Sequence, residues 1–276
     1  MEKENLQKGI FSGLEKFGLT EVINKKITIY EHEPSKPRKK KAEPTAPAEE
    51  IEIDIDDYVY PKSFVCPVCS QDFKSYVLRH GRVRLQNIEF DLRPVYTPIE
   101  PIFYDIVMCV CCGFTAVQDK FDQIPEREAQ RVLKELAPQF RPQQYPKELT
   151  IDMAIERYQL ALLNAVIRKA KEGEKAYICM KLTWLHRIKG DSLEMEKKFA
   201  SLTTRGFISA LRKENPPIMK MEESTVLYLL GAFSFFLGDN TNALKLVSSV
   251  ITSQKPSNRL KDRARELKDM IKTPIV

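Results

Sequence analysis

Cys66-Pro67-Val68-Cys69 and Cys109-Val110-Cys111-Cys112-Gly113 decide how the first half of this chain is read. Each stretch places two thiols three positions apart, at the tip of a tight turn from which both sulfurs can face one ion. Two such turns supply the four ligands of a tetrahedral site. The 39 residues between the pairs are patterned as strands that can form the hairpin bringing the turns together. One structural zinc ion is therefore expected, held by Cys66, Cys69, Cys109 and Cys112.

Two other uses of paired thiols fit less well. A redox pair needs a helix amino terminus to lower one thiol's pKa, and neither pair runs into a helical pattern. A catalytic zinc keeps one position open for water, whereas four cysteines close the shell. Gly113 suits the turn after its pair, while Ser70 stands where a glycine would be easier. Structural zinc is worth about 10–16 kcal/mol of apparent binding energy, enough to fold a module too small to fold alone. Cys111 is expected to point away from the ion. Cys179, amid Ala176, Tyr177, Ile178 and Met180, reads as a small buried hydrophobe.

Around the cysteines, residues 61–122 read as a small β-rich, zinc-ribbon-like module. Tyr76-Val77-Leu78, Arg82-Val83-Arg84-Leu85 and Phe103-Tyr104-Asp105-Ile106-Val107 are its predicted strands, with prolines at 94, 98 and 101 making turns between them. The insert carries Lys74, Arg79, His80, Arg82, Arg84 and Arg93 among Phe73, Tyr76 and Phe90, a mixture that could follow a phosphate backbone and stack bases. Arg79, Arg82 and Arg84 are the candidate nucleic-acid contacts. Residues 62–120 hold seven basic side chains against six acidic ones, so solvated strand faces are the stronger reading.

Ahead of the module, residues 1–32 place Ile10, Phe11, Leu14 and Phe17 at helical spacing, followed by a strand-like Ile27-Thr28-Ile29-Tyr30. A short element docking on the body is expected. Residues 33–60 read as a disordered linker, with prolines at 34, 37, 44 and 47, a basic knot at Lys36 and Arg38 to Lys41, and an acidic stretch from Glu49 to Asp57.

Residues 123–276 read as helix after helix, at about 126–136, 150–172, 174–189, 192–213, 223–237, 240–253 and 258–271. Gly190-Asp191, Asn215-Pro216-Pro217 and Gly238-Asp239 are the stops. Gly231, Ala243, Val247 and Pro256 fall where a tetratricopeptide-like helix pair puts its small residues, large apolar residue and closing proline. The two Gly-Asp turns are 48 residues apart, which makes this an irregular helical-hairpin array and not a strict repeat. Trp184 reads as core and His186 as a surface or capped histidine.

Composition bounds the function. The chain has 276 residues, 43% apolar and 30% charged, and no apolar run long enough to span a membrane. The net charge of +6 is a small difference between 44 basic and 38 acidic residues, which speaks for solubility more than for nucleic-acid binding. Phosphate loops, dinucleotide fingerprints and nucleophile elbows are missing among only 10 glycines. No catalytic residue is assigned; an enzyme of unrecognised class, its site assembled from Glu, Asp and His186 across distant helices, is a third and weaker reading. Six cysteines without a leader pattern place the chain in the cytoplasm.

Cys66-Pro67-Val68-Cys69, the Arg79 to Pro94 insert, Phe103-Tyr104-Asp105, Trp184-Leu185, Tyr228-Leu229-Leu230-Gly231 and Ala264-Arg265-Glu266 together resemble the bacterial domain of unknown function 2225, over about residues 62–271. The resemblance implies a zinc-ribbon-like module followed by tetratricopeptide-like helices, and it brings no known activity. Cys111 stands where that family usually has a histidine. The expected fold is thus α+β, mostly α. The expected function is a non-enzymatic adaptor or scaffold offering a helical surface to an unidentified protein partner, with a nucleic-acid-binding ribbon as the alternative.

Overall fold

A computed structural model describes residues 9–25, 27–30, 54–79 and 81–273. Its elements in chain order are α1 (Thr20–Asn24), β1 (Val59–Val65), β2 (Asp72–Leu78), β3 (Arg84–Ile88), β4 (Pro94–Thr97), β5 (Ile106–Met108), β6 (Thr115–Val117), α2 (Gln118–Phe121), α3 (Glu126–Glu135), α4 (Ile151–Ile167), α5 (Glu172–Lys189), α6 (Leu193–Lys213), α7 (Glu223–Phe236), α8 (Asn240–Thr252) and α9 (Asn258–Lys272). The fold is α+β and mostly α, with short antiparallel strand pairs ahead of a helical array. The chain divides into two units. The first holds the described residues up to 84 together with Tyr96–Ala170, and the second holds Leu85–Val95 with the chain from Lys171 on.

In the first unit, β1 pairs with β2 from Val59↔Leu78 to Val65↔Asp72, and β5 with β6 from Ile106↔Val117 to Met108↔Thr115. Each hairpin therefore carries one cysteine pair at its tip. Behind the tips lies an aromatic cluster in which Phe121 sits 5.8 Å from Phe64, 5.7 Å from Phe73 and 5.0 Å from Phe114 between ring centres. Helix α4 backs β5 and β6 and is buried over most of its length, which is why its sequence is apolar nearly all round. Its buried Arg157 donates to the carbonyls of Phe103 and Ile106, so a side chain of α4 holds the turn before β5 and the first residue of the strand. Phe103 and Tyr104 lie in a 3-10 turn over Pro101–Tyr104, and the predicted strand begins only at Ile106.

The amino-terminal segment docks on this unit. Ile10, Phe11, Leu14, Phe17 and Leu19 are fully buried, Phe17 stacks on Phe140 at 5.9 Å, and the Phe17 carbonyl accepts from the Arg141 N–H at 2.7 Å. Gln159 of α4 donates to the Ile10 carbonyl at 2.9 Å. The local structure differs from the reading: Leu14–Phe17 is a 3-10 turn set between Gly13 and Gly18, and residues 27–30 form no strand. Left-handed glycines on both sides cut off the helix that the apolar spacing predicts. Most of the 33–60 linker, including the lysine knot, lies outside the described residues; its last residues, 54–60, differ from the disordered linker expected, since they hold a 3-10 turn at Ile55–Asp57 and the start of β1.

The second unit pairs its helices in sequence order, α5 with α6, α6 with α7, α7 with α8 and α8 with α9. Ser192, Asp239 and Ser257 each cap a helix by accepting from the third helical N–H, at 3.2, 3.0 and 3.3 Å. Gly190 and Gly238 end theirs in the left-handed region, as the Gly-Asp stops predict. A Cβ at Gly231 would lie 2.7 Å from the Val247 Cγ2, so the small residue is what lets α7 and α8 approach. His186 is buried and stacked on Phe199 at 5.3 Å, not at the surface; both residues face the α5–α6 seam. The expected boundary at 123 also differs from the observed division, because α3 and α4 cluster with the cysteine hairpins and residues 85–95 with the later helices. Gly231→Ala should lower the stability of the second unit by about 1–3 kcal/mol in denaturant unfolding, because overpacking against Val247 outweighs the gain in helix propensity.

Candidate metal centre

The two hairpin tips have the same backbone. Cys66 N–H donates to the Gln71 carbonyl at 3.0 Å and Ser70 N–H to the Cys66 carbonyl at 2.8 Å; Cys109 N–H donates to Phe114 at 2.8 Å and Gly113 N–H to Cys109 at 3.0 Å. The residue after each pair is left-handed, Ser70 at φ 58° and Gly113 at φ 74°. The closure is thus set by the four-residue spacing, and the conformation that glycine favours is imposed on a serine in the first turn.

The turns bring all four sulfurs within 4.8 Å of one another. Cys66 Sγ lies 3.6 Å from Cys112 Sγ, and Cys69 Sγ lies 3.6 Å from Cys109 Sγ, each pair crossing between the hairpins. A disulfide would need about 2.05 Å. Tetrahedral zinc with sulfur bonds of about 2.3 Å separates its ligands by about 3.8 Å, so the spacing fits a thiolate-bound cation. Cys66, Cys109 and Cys112 are buried and Cys69 is half-buried.

Backbone amides offset negative charge on the sulfurs. The Cys111 N–H points at Cys109 Sγ at 3.4 Å, those of Val68 and Cys69 at Cys66, and that of Phe114 at Cys112. Hydrogen bonds from Cys109 and Cys112 hold the Cys66 thiol far below its ordinary value, at about 4, against the opposing effect of burial. Hydrogen bonds to Cys109 and Cys66, with burial, hold the proton on Cys112. The thiolate is the form that ligates metal, and Cys66 is the sulfur these contacts favour in it. Cys111 is exposed and outside the cluster, and Cys179 is buried in α5, as the sequence suggests for both.

Sequence reading missed what props up the second turn. The Gly113 carbonyl accepts from Asn164 Nδ2 of α4 at 3.1 Å and from Thr115 Oγ1 at 3.0 Å. A Cβ on Gly113 would fall 2.4 Å from the Phe140 ring, the same ring that stacks on Phe17. The signal available was Asn164 itself, a lone amide within the apolar run from Leu160 to Ile167.

The candidate nucleic-acid contacts stand apart from this centre in chemistry. Arg79 is exposed, lies over the Tyr60 ring at 5.2 Å and donates to the Asp56 carbonyl at 3.3 Å; Arg82 and Arg84 are exposed. Of the aromatic residues interleaved with them, Phe73 lies in the cluster behind the cysteines and Phe90 against Phe235 at 6.3 Å, while Tyr76 is half-buried. Arg93 is buried and paired with Glu89 at 2.8 Å.

The model of a family described as an uncharacterised protein conserved in bacteria, DUF2225, matches residues 59–271. That span takes in all four clustered cysteines and the helices through most of α9. None of the curated proteins and none of the solved structures compared with the chain matches it.

Gly113→Ala should cost about 2–4 kcal/mol in denaturant unfolding, from the left-handed φ and the clash with Phe140 together. Ser70→Gly, at the matching place, should leave stability equal or raise it by up to about 1 kcal/mol.

Proposed function

The chain belongs to that bacterial family of unknown function, and from this premise we propose that it is a non-enzymatic, cytoplasmic adaptor. In this reading one structural zinc ion fixes the hairpin module, and tetratricopeptide-like helices offer a surface to another protein. The zinc assignment is carried by the two crossed sulfur pairs at 3.6 Å, supplied by turns of identical backbone. Bound there, zinc would contribute about 10–16 kcal/mol of apparent binding energy to joining the two hairpin tips. Four thiolates leave no position for a reacting water, so the site is a clamp and carries no chemistry of its own.

The residues divide the labour of that clamp. Cys66 and Cys69 bring in the β1–β2 hairpin, Cys109 and Cys112 the β5–β6 hairpin, while Asn164 and Phe140 hold the second turn from behind. Binding to the partner falls to the helices, which pair consecutively in the manner of arrays that bind segments of other proteins. The alternative, nucleic-acid binding through Arg79, Arg82 and Arg84, is the weaker reading because Phe73 is buried behind the cysteines and Phe90 packs on Phe235, away from a base-stacking role.

Native mass spectrometry of the freshly purified chain should find one zinc per chain. Cys→Ser at 66, 69, 109 or 112 should abolish it, and Cys→Ser at 111 or 179 should leave it in place; retention of zinc in any of the first four removes the assignment. Affinity capture from a bacterial lysate tests the adaptor role, and an empty capture under mild conditions counts against it.

A further inference from the structure

Within the second unit, residues 85–95 are remote in sequence from the helices they lie against, and they are held in the way a bound peptide is held. The turn is closed by its own groups: Glu89 N–H donates to the Arg93 carbonyl at 2.8 Å, Leu92 N–H to Glu89 at 3.0 Å, and the Arg93 guanidinium to the Glu89 carboxylate at 2.8 Å. The helices then read it by three kinds of contact. Tyr228 donates its hydroxyl to the Phe90 carbonyl at 2.7 Å, and Arg263 donates to the Ile88 carbonyl at 3.1 Å, so the backbone is recognised whatever the side chains. Phe90 is the apolar anchor, edge-on to Phe235 at 6.3 Å and over the Arg187 guanidinium at 5.2 Å. Two acids close on one cation, with Arg187 2.6 Å from Glu89 and 2.8 Å from Asp91, whose carboxylate also accepts from Trp184 Nε1 at 3.0 Å.

Arg187 is oriented from the receptor side. Glu196 of α6 lies 2.8 Å from its Nε, and Phe236 flanks it at 5.6 Å, so the fork is aimed by groups belonging to the helices themselves. Asp91 is completely buried, which a carboxylate tolerates only against such partners. An aromatic anchor, an arginine clamp and backbone hydrogen bonds are the features that concentrate binding energy at protein interfaces.

We propose that the helical unit is a receptor for a short acidic–aromatic–acidic turn, that Glu89-Phe90-Asp91 occupies it in cis, and that the protein partner presents a turn of the same chemistry. This deepens the adaptor reading and rests on it. The cis segment competes at an effective concentration on the order of 1 mM, so a partner segment gains entry when the internal turn is weakened or outcompeted.

The test uses the full chain carrying Glu89→Ala and Asp91→Ala, titrated with a synthetic peptide of residues 85–95. Dye-labelled peptide reports binding by fluorescence anisotropy, and Trp184, the single tryptophan, reports the site itself. Saturable binding is expected at least 10-fold tighter to the variant than to the wild-type chain, with return of Trp184 emission toward the wild-type spectrum. A peptide carrying Phe90→Ala should lose at least 10-fold. Should the double variant lose its helical circular dichroism, Asp91→Asn in the otherwise unchanged chain serves the same titration. A folded variant that takes up no peptide at 1 mM, or binding equal to variant and wild type, overturns the proposal. Peptide uptake without lysate capture leaves the receptor standing and removes the adaptor; capture that excess peptide does not compete removes the receptor and leaves the adaptor.

Discussion

Four sulfur atoms drawn within 4.8 Å of one another at the meeting point of two hairpin tips are the constraint around which the cysteine-bearing unit is organised. Neither hairpin is large enough to be stable alone in water, and the β5–β6 ladder pairs only three residues of each strand. What fixes them is support from both sides. In front, thiols and backbone amides form one polar cluster; behind, Phe64, Phe73, Phe114 and Phe121 form one apolar cluster. Asn164 and Phe140 extend that support into α4 and the connector before it, and the docked amino-terminal segment completes it by stacking Phe17 on Phe140.

The helical unit answers to a different constraint. Its close helix approach depends on small residues such as Gly231, while its charged centre depends on Arg187 reaching three carboxylates at once. Burial disfavours the ionised form of Glu89, yet hydrogen bonding to Arg93 and the charge of Arg187 outweigh it and hold that carboxyl below its ordinary value. Glu196 goes the other way: burial, with the charges of Asp91 and Glu89, raises it despite Arg187. One guanidinium thus meets acids of unequal strength, and against the cost of burial it is Asp91, then Glu196, that do most to hold its charge.

The cysteine spacing and the helix stops were legible because each is local chemistry. A C-x-x-C turn closes within six residues, and Gly190, Gly238 and the serine and aspartate caps act on the turn in which they stand. The place of residues 85–95 was not legible, for the opposite reason. Glu89, Phe90, Asp91 and Arg93 look like a solvated strand face, and only the distant Trp184, Arg187, Tyr228 and Arg263 make burial of that face tolerable. The apolar run of α4 announces a buried helix but not which unit buries it, and His186, which reads as a surface or capped histidine, is buried because its ring stacks like any other aromatic.

X-ray absorption at the zinc edge on the purified chain bears most directly on the four-sulfur clamp. Four sulfur neighbours at about 2.3 Å, and none lighter, are the expected shell. A shell containing nitrogen or oxygen at about 2.0–2.2 Å, or purified protein without zinc, would contradict it.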